Sequence, residues 1–137
     1  MLQAEVITID IERDWQEVYE AVADLRNFPK WAKTFCRAIK KLNDGDWYEM
    51  DTPQGPTRIR IASRNDFGVV DHYLVSPKGE DVYVPMRVIS NGDGCQLQFT
   101  LFRRPGMTEE MFKSDKALVE KDLGTLKEAM EKGDVSN

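Results

Sequence analysis

Apolar residues over 108–132 recur at the spacing of one helical face and predict a long amphipathic helix. Phe112, Val119, Leu123, Leu126 and Met130 form the stripe, and Met111, Leu118 and Ala129 widen it. Thr108 is a suitable N-cap ahead of Glu109 and Glu110, Pro105-Gly106 breaks the preceding element, and Gly133 is a C-terminal stop. Asp115 and Asp122 fall inside the apolar arc, either at its rim in reach of solvent or against a wet partner surface.

Upstream the period changes to two. Ile7, Ile9 and Ile11 alternate with Val6, Thr8 and Asp10, which predicts a half-buried strand over 5–11. Asp14 then caps a short helix over 15–23, with Val18, Tyr19 and Val22 at helical spacing. A second short helix is expected around 28–32, with Pro29 in its first turn. From Cys36 to Arg103 the chain reads as successive hairpins, with turns at 43–46, 53–56, 64–68, 77–80 and 91–94.

Two hairpins allow a register to be written. Thr52 opposite Thr57 sets Met50 against Ile59 and Tyr48 against Ile61, with Asp51–Arg58 and Glu49–Arg60 pairs on the other face. Ser90 opposite Cys95 sets Val88 against Leu97, Met86 against Phe99 and Val84 against Leu101. Pro85 lacks a ladder donor and marks a bulge or an unpaired side. The order is one strand, two short helices, at least five antiparallel strands and one long helix. An α+β architecture follows, with the long helix laid across the concave, apolar side of the sheet.

The chain of 137 residues fits one domain, 1–137, and can bury a substantial core. A net charge of −5 without a Lys/Arg cluster argues against a nucleic-acid partner. Lys40-Lys41 and Arg103-Arg104 read as solvated strand ends. Cys36 and Cys95 form neither a disulfide framework nor, with the single His72, a metal set, so no metal and no cofactor is expected. Without a leader-like start or a long apolar run, the expectation is a cytoplasmic protein, monomer or homodimer, with no integral membrane segment.

Several strings resemble the helix-grip superfamily of SRPBCC, START-like and birch-pollen-allergen-like proteins. The first is residues 9–12 followed by 15–24, similar to that superfamily's opening strand and helix; the second is Phe28-Pro29-Lys30-Trp31. Residues 67–73, 84–88 and 99–107 resemble its small bacterial polyketide cyclase/dehydrase branch. The resemblance covers nearly the whole chain. It implies a curved antiparallel sheet of six to seven strands wrapped around the C-terminal helix, with a cavity between them. It is poor on reaction, because the superfamily hosts carriers, receptors and enzymes alike.

Candidate chemistry centres on His72, which faces inward with Val70 and Leu74 in one parity, whereas the other turns Asp71, Tyr73 and Val75 inward; a neutral imidazole is cheaper to bury than a lone carboxylate, which favours the first. It is either an acid/base group in a cavity or a satisfied core histidine, and Asp71 then lies on the convex surface. Arg103 falls on the inward parity near the start of the long helix, where it ties to Asp115 or meets a ligand carboxylate. Trp31, Tyr48, Met50, Met86, Phe99, Met111, Leu118 and Asp122 complete the candidate lining, each with a plain core role as the alternative.

Three functions fit. One is binding of a small hydrophobic molecule (a lipid, a polyketide or an isoprenoid-like compound) between sheet and helix. Another is a cyclase or dehydratase with His72 as acid/base and an Asp partner. The last is an interaction module whose outer sheet gathers Trp47, Tyr83, Ile89 and Phe102.

Overall fold

The computed structural model describes residues 1–133; the last four residues of the expected 1–137 domain lie outside the described residues. The chain runs β1 (Ala4–Ile11), α1 (Trp15–Ala23), a 3-10 turn (Leu25–Asn27) and α2 (Phe28–Trp31). Seven more strands follow: β2 (Ala38–Lys41), β3 (Tyr48–Thr52), β4 (Gly55–Ile61), β5 (His72–Val75), β6 (Asp81–Val84), β7 (Met86–Asn91) and β8 (Gly94–Phe102). The long helix α3 (Glu109–Lys132) closes the order. Local chemistry sets the helix ends as expected. Asp14 accepts from the Gln16 amide, Thr108 accepts from the Met111 amide, and Gly133 takes a left-handed φ of 77°.

All strand pairs are antiparallel, and they form two sheets, β1-β8-β7 and β2-β3-β4-β5-β6. Eight strands stand where six to seven were expected, because Pro85 divides the long hairpin into β6 and β7. Val84 therefore pairs with His72 rather than with Leu101, while Met86–Phe99, Val88–Leu97 and Ser90–Cys95 pair as written from the sequence. Residues 68–70 bridge the gap between the sheets. The Val88 amide donates to the Gly68 carbonyl at 2.8 Å, and the Val70 amide donates to the Met86 carbonyl at 2.9 Å.

The β3–β4 hairpin corrects the expected register by two residues. Tyr48 faces Ile59, Met50 faces Thr57 and Thr52 faces Gly55, around a tight turn at Pro53-Gln54. Gly55 takes a φ of 116°, and the Thr52 hydroxyl donates to its carbonyl at 2.7 Å, which holds the turn at two residues. A slip of two preserves the faces, so Met50 and Ile59 are buried as expected. It changes the ion pairs. Arg58 binds Asp44 at 2.6 Å and Glu49 sits 3.6 Å from Lys40.

Helix α3 packs along β1 and against α2. Its C-terminal half is tied to the end of β1: Lys127 donates to the Asp10 carbonyl at 2.7 Å, and Glu131 accepts from the Glu12 amide at 2.9 Å. The buried face holds Phe112, Asp122, Leu123, Leu126 and Met130. Met111 is 51% exposed and Leu118 44%, which corrects their expected inward role. They lie one step round the helix beyond Asp122, where the buried arc ends. Among the described residues, no helix is long and apolar enough to cross a membrane.

Candidate functional site

Beneath α2 and between the two sheets lies an aromatic cluster of Trp31, Phe28, His72 and Phe99. Phe28 and Trp31, three residues apart on the short helix, meet edge to face at 5.0 Å between centroids. His72 meets Phe28 at 5.7 Å and Phe99 at 6.1 Å, both edge to face. The imidazole is thus on the inward side, as the parity with Val70 and Leu74 requires. It retains 5% exposure.

Two polar groups mark this apolar surround. The Trp31 indole Nε1 is buried with no hydrogen-bond partner among the described residues. An orphaned buried donor of this kind costs about 1–3 kcal/mol, so its presence asks for a reason. The other group is His72. Its Nδ1 lies 3.3 Å from the Val70 carbonyl, which can only accept, so Nδ1 carries the proton and Nε2 keeps a lone pair. Burial pushes the His72 pKa down to about 4, against small opposing effects of Val70 and Asp71, and the ring is neutral at pH 7.

Asp71 takes no part in this cluster. It is buried rather than on the surface, contrary to expectation, and its carboxylate faces the other side of the sheet. There it accepts from the Tyr83 hydroxyl at 2.9 Å, the Met86 amide at 2.8 Å and the Arg87 guanidinium. Those donors replace the water that a surface carboxylate would have kept.

The remaining candidates separate. Met50 and Met86 are fully buried, while Tyr48 and Phe99 are only partly so, as are Leu74, Leu101 and Val119 on the same inward faces. Asp122 accepts from the Thr34 amide at 3.1 Å and its hydroxyl at 2.6 Å, fastening the loop after α2 to α3. Burial raises its pKa, and the two Thr34 bonds oppose that rise. Asp115 is half-buried, its pKa raised by burial against the pull of Arg104. The expected Arg103–Asp115 tie is absent; Arg103 donates to the Met107 carbonyl at 3.0 Å and approaches Gln3. Phe28 and Thr34 were not foreseen. The three-residue step from Phe28 to Trp31 was a usable signal for the first, whereas Thr34 is 88 positions from Asp122 and left none.

No metal group of three or more His, Cys, Asp or Glu occurs among the described residues. Burial lifts the Cys36 and Cys95 thiols to about 11, which leaves them unreactive at neutral pH. Among the open clefts on the surface, two are lined by residues outside the aromatic cluster. One, of about 510 Å³, lies between α1 and residues 64–66; the other, of about 330 Å³, lies over β2 and β3. On the outer face, Tyr73, Tyr83 and Phe102 stack in a row. Of the expected outer group, Trp47 is covered by the Arg58 and Arg60 guanidiniums, whereas Tyr83 and Ile89 stand exposed.

No family model matches the chain, and no curated protein matches it by sequence. Solved structures do match its shape. The Zhui aromatase/cyclase from Streptomyces sp. R1128 superposes with a TM-score of 0.70 at 14% identity, over 97% of this chain and 93% of that one. The Aha1 dimer from Colwellia psychrerythraea gives 0.73 at 16% identity, over 94% and 96%. A START superfamily protein from Mycobacterium smegmatis gives 0.61 at 15%, over 96% of each. The chain shares the helix-grip fold of these structures, a curved antiparallel sheet with a long C-terminal helix. At these identities the likeness establishes fold alone.

Proposed function

We propose that this protein binds a small, mostly apolar molecule at the Trp31–Phe28–His72–Phe99 cluster, and that an oxygen on the ligand is held by Trp31 and His72. The carrying observation is the buried Trp31 Nε1–H, which has no acceptor among the described residues. A ligand hydroxyl can accept from the Trp31 N–H and donate to His72 Nε2, and the two rings that offer these groups both pack against Phe28. Flat aromatic edges around it favour a ring or an isoprenoid-like skeleton over a charged molecule. Tyr48, Leu74, Phe99, Leu101 and Val119, inward yet partly exposed, mark the side from which such a ligand enters. The neighbours' fold supports a ligand between sheet and helix, since proteins of that shape include an aromatase/cyclase and a START superfamily member.

Calorimetric titration with 1-naphthol and with naphthalene tests this reading. Naphthol is expected to bind about tenfold more tightly, the worth of one to two added hydrogen bonds, and Trp31→Phe to erase most of that preference. If neither compound binds and native mass spectrometry of the purified protein detects no co-purifying molecule, the reading fails.

Catalysis with His72 as base is the second reading, favoured by its inward position and neutral ring. Its His–Asp form lacks support, because Asp71 is bonded on the opposite face. His72→Gln, assayed against a poly-carbonyl substrate, separates binding from turnover.

A further inference from the structure

The larger surface cleft has a chemistry of its own, unrelated to the interior cluster. One wall is α1, which presents Trp15 and Tyr19 from successive turns, 6.4 Å apart and tilted, with Glu20 beside them. The other wall is the 64–66 segment, which brings Arg64 and Asp66. That wall is built rigidly. The Asn65 carboxamide accepts from the Phe67 and Val69 amides and donates to the Ser63 and Val69 carbonyls, and the Asn65 amide donates to the Tyr19 hydroxyl at 2.9 Å. The loop's conformation is therefore held before any partner arrives, which lowers the entropic cost of docking.

A cation already sits in this cleft. The Arg64 guanidinium lies 5.6 Å over the Tyr19 ring and pairs with Glu20. An aromatic face backed by a carboxylate is a guanidinium seat. The occupant is held loosely, because the Arg64 side chain is 66% exposed and that of Glu20 42%, and water screens an exposed pair of this kind. With two carboxylates, Glu20 and Asp66, against one cation, the lining keeps a negative balance, and the whole chain carries −5. Directly after Asp66, Phe67 stands 83% exposed on the same pinned loop, an apolar contact beside the seat.

We propose that this cleft docks an arginine side chain of a partner polypeptide, which exchanges with Arg64 for the Tyr19–Glu20 seat while an adjacent apolar residue of the partner covers Phe67. Arg64 is then a resident stand-in that the partner must displace. Asp66 meets the incoming charge first, and Trp15 supplies the second aromatic wall.

The test is a titration of the ¹⁵N-labelled full chain with the peptide acetyl-Leu-Arg-Leu-amide, followed by amide and indole shifts. Saturable shifts are expected at Trp15, Asn65 and Phe67. Arg64→Ala should tighten binding by up to about fivefold, through removal of a weakly held competitor, and Glu20→Gln or Asp66→Asn should weaken it. All three positions are on the surface, so an unchanged spectrum elsewhere confirms each fold. Equal shifts with the neutral citrulline analogue, no tightening in Arg64→Ala, or equal binding of methylguanidinium alone would each overturn the proposal.

Discussion

His72 and Asp71 are adjacent in the chain, and their side chains leave it on opposite sides of the sheet. The imidazole enters the aromatic cluster with Phe28 and Phe99, and the carboxylate is fastened on the outer side to Tyr83, Arg87 and the Met86 amide. The two are mechanically linked. Asp71 binds the strand beyond Pro85, where the chain leaves one sheet for the other, and so anchors the position from which His72 points inward.

Removal of that anchor is costly. Asp71→Ala leaves the buried Met86 amide without its acceptor and the Arg87 guanidinium with the Met86 carbonyl and water, and is expected to lower unfolding stability by about 1–3 kcal/mol in urea titration. Asp71→Asn keeps an oxygen for the Met86 amide and should lose less. Equal stability of Asp71→Ala and the parent would show that the junction does not depend on this carboxylate.

Acid should destabilise the fold through His72. Its folded-state pKa of about 4 lies below the ordinary 6.5, so the unfolded chain binds the proton more readily. The resulting stability is fully present above pH 6.5 and is lost as pH falls towards 4, by up to roughly 3 kcal/mol. Asp115 and Asp122, both raised by burial, work in the opposite sense: each stabilises the fold below its ordinary pKa and less as pH rises. Their windows begin at the lower edge of that range. His72→Gln should flatten the stability profile between pH 4 and 6.5 in thermal melts.

Trp31→Phe should cost little in the unliganded protein, within about 1 kcal/mol, because the lost packing is offset by deletion of an unsatisfied donor. A loss of 3 kcal/mol or more in chemical denaturation would mean that the indole N–H has an acceptor after all, and would remove the main support for a ligand oxygen.

Gly68 should not tolerate a side chain. Its φ is 71°, and an added Cβ would meet the Val88 carbonyl oxygen inside van der Waals contact. Gly68→Ala is expected to destabilise by about 2–4 kcal/mol, with hydrogen exchange rising first at Val88 and Val70, whose amides bond across this junction.

Much of the candidate site could be read along the chain, and the failures share a cause. Alternation left two parities open for His72, and only the lower cost of burying a neutral imidazole favoured the inward one that the structure has. The two-residue register error around Thr52 came from a turn closed by Gly55, and parity could not reveal it since both registers bury Met50. Leu118 and Met111 belonged to the helix's apolar stripe and are exposed, while Asp122 is buried, because the position of Thr34 relative to α3 decided which edge of the stripe was covered.

Local chemistry along the chain decided where elements begin, end and turn their apolar sides: Asp14, Thr108 and Gly133 act within a few residues of themselves. Tertiary packing alone decided the partners. The bonds of Asp71 to Tyr83 and Arg87, the seat of Arg64 on Tyr19 and Glu20, and the orphaned Trp31 donor all depend on groups far apart in sequence. Capping and alternation are set by neighbours whose distance is fixed by the backbone. A contact across 46 or 88 positions is set only when the sheets and helix have closed on one another.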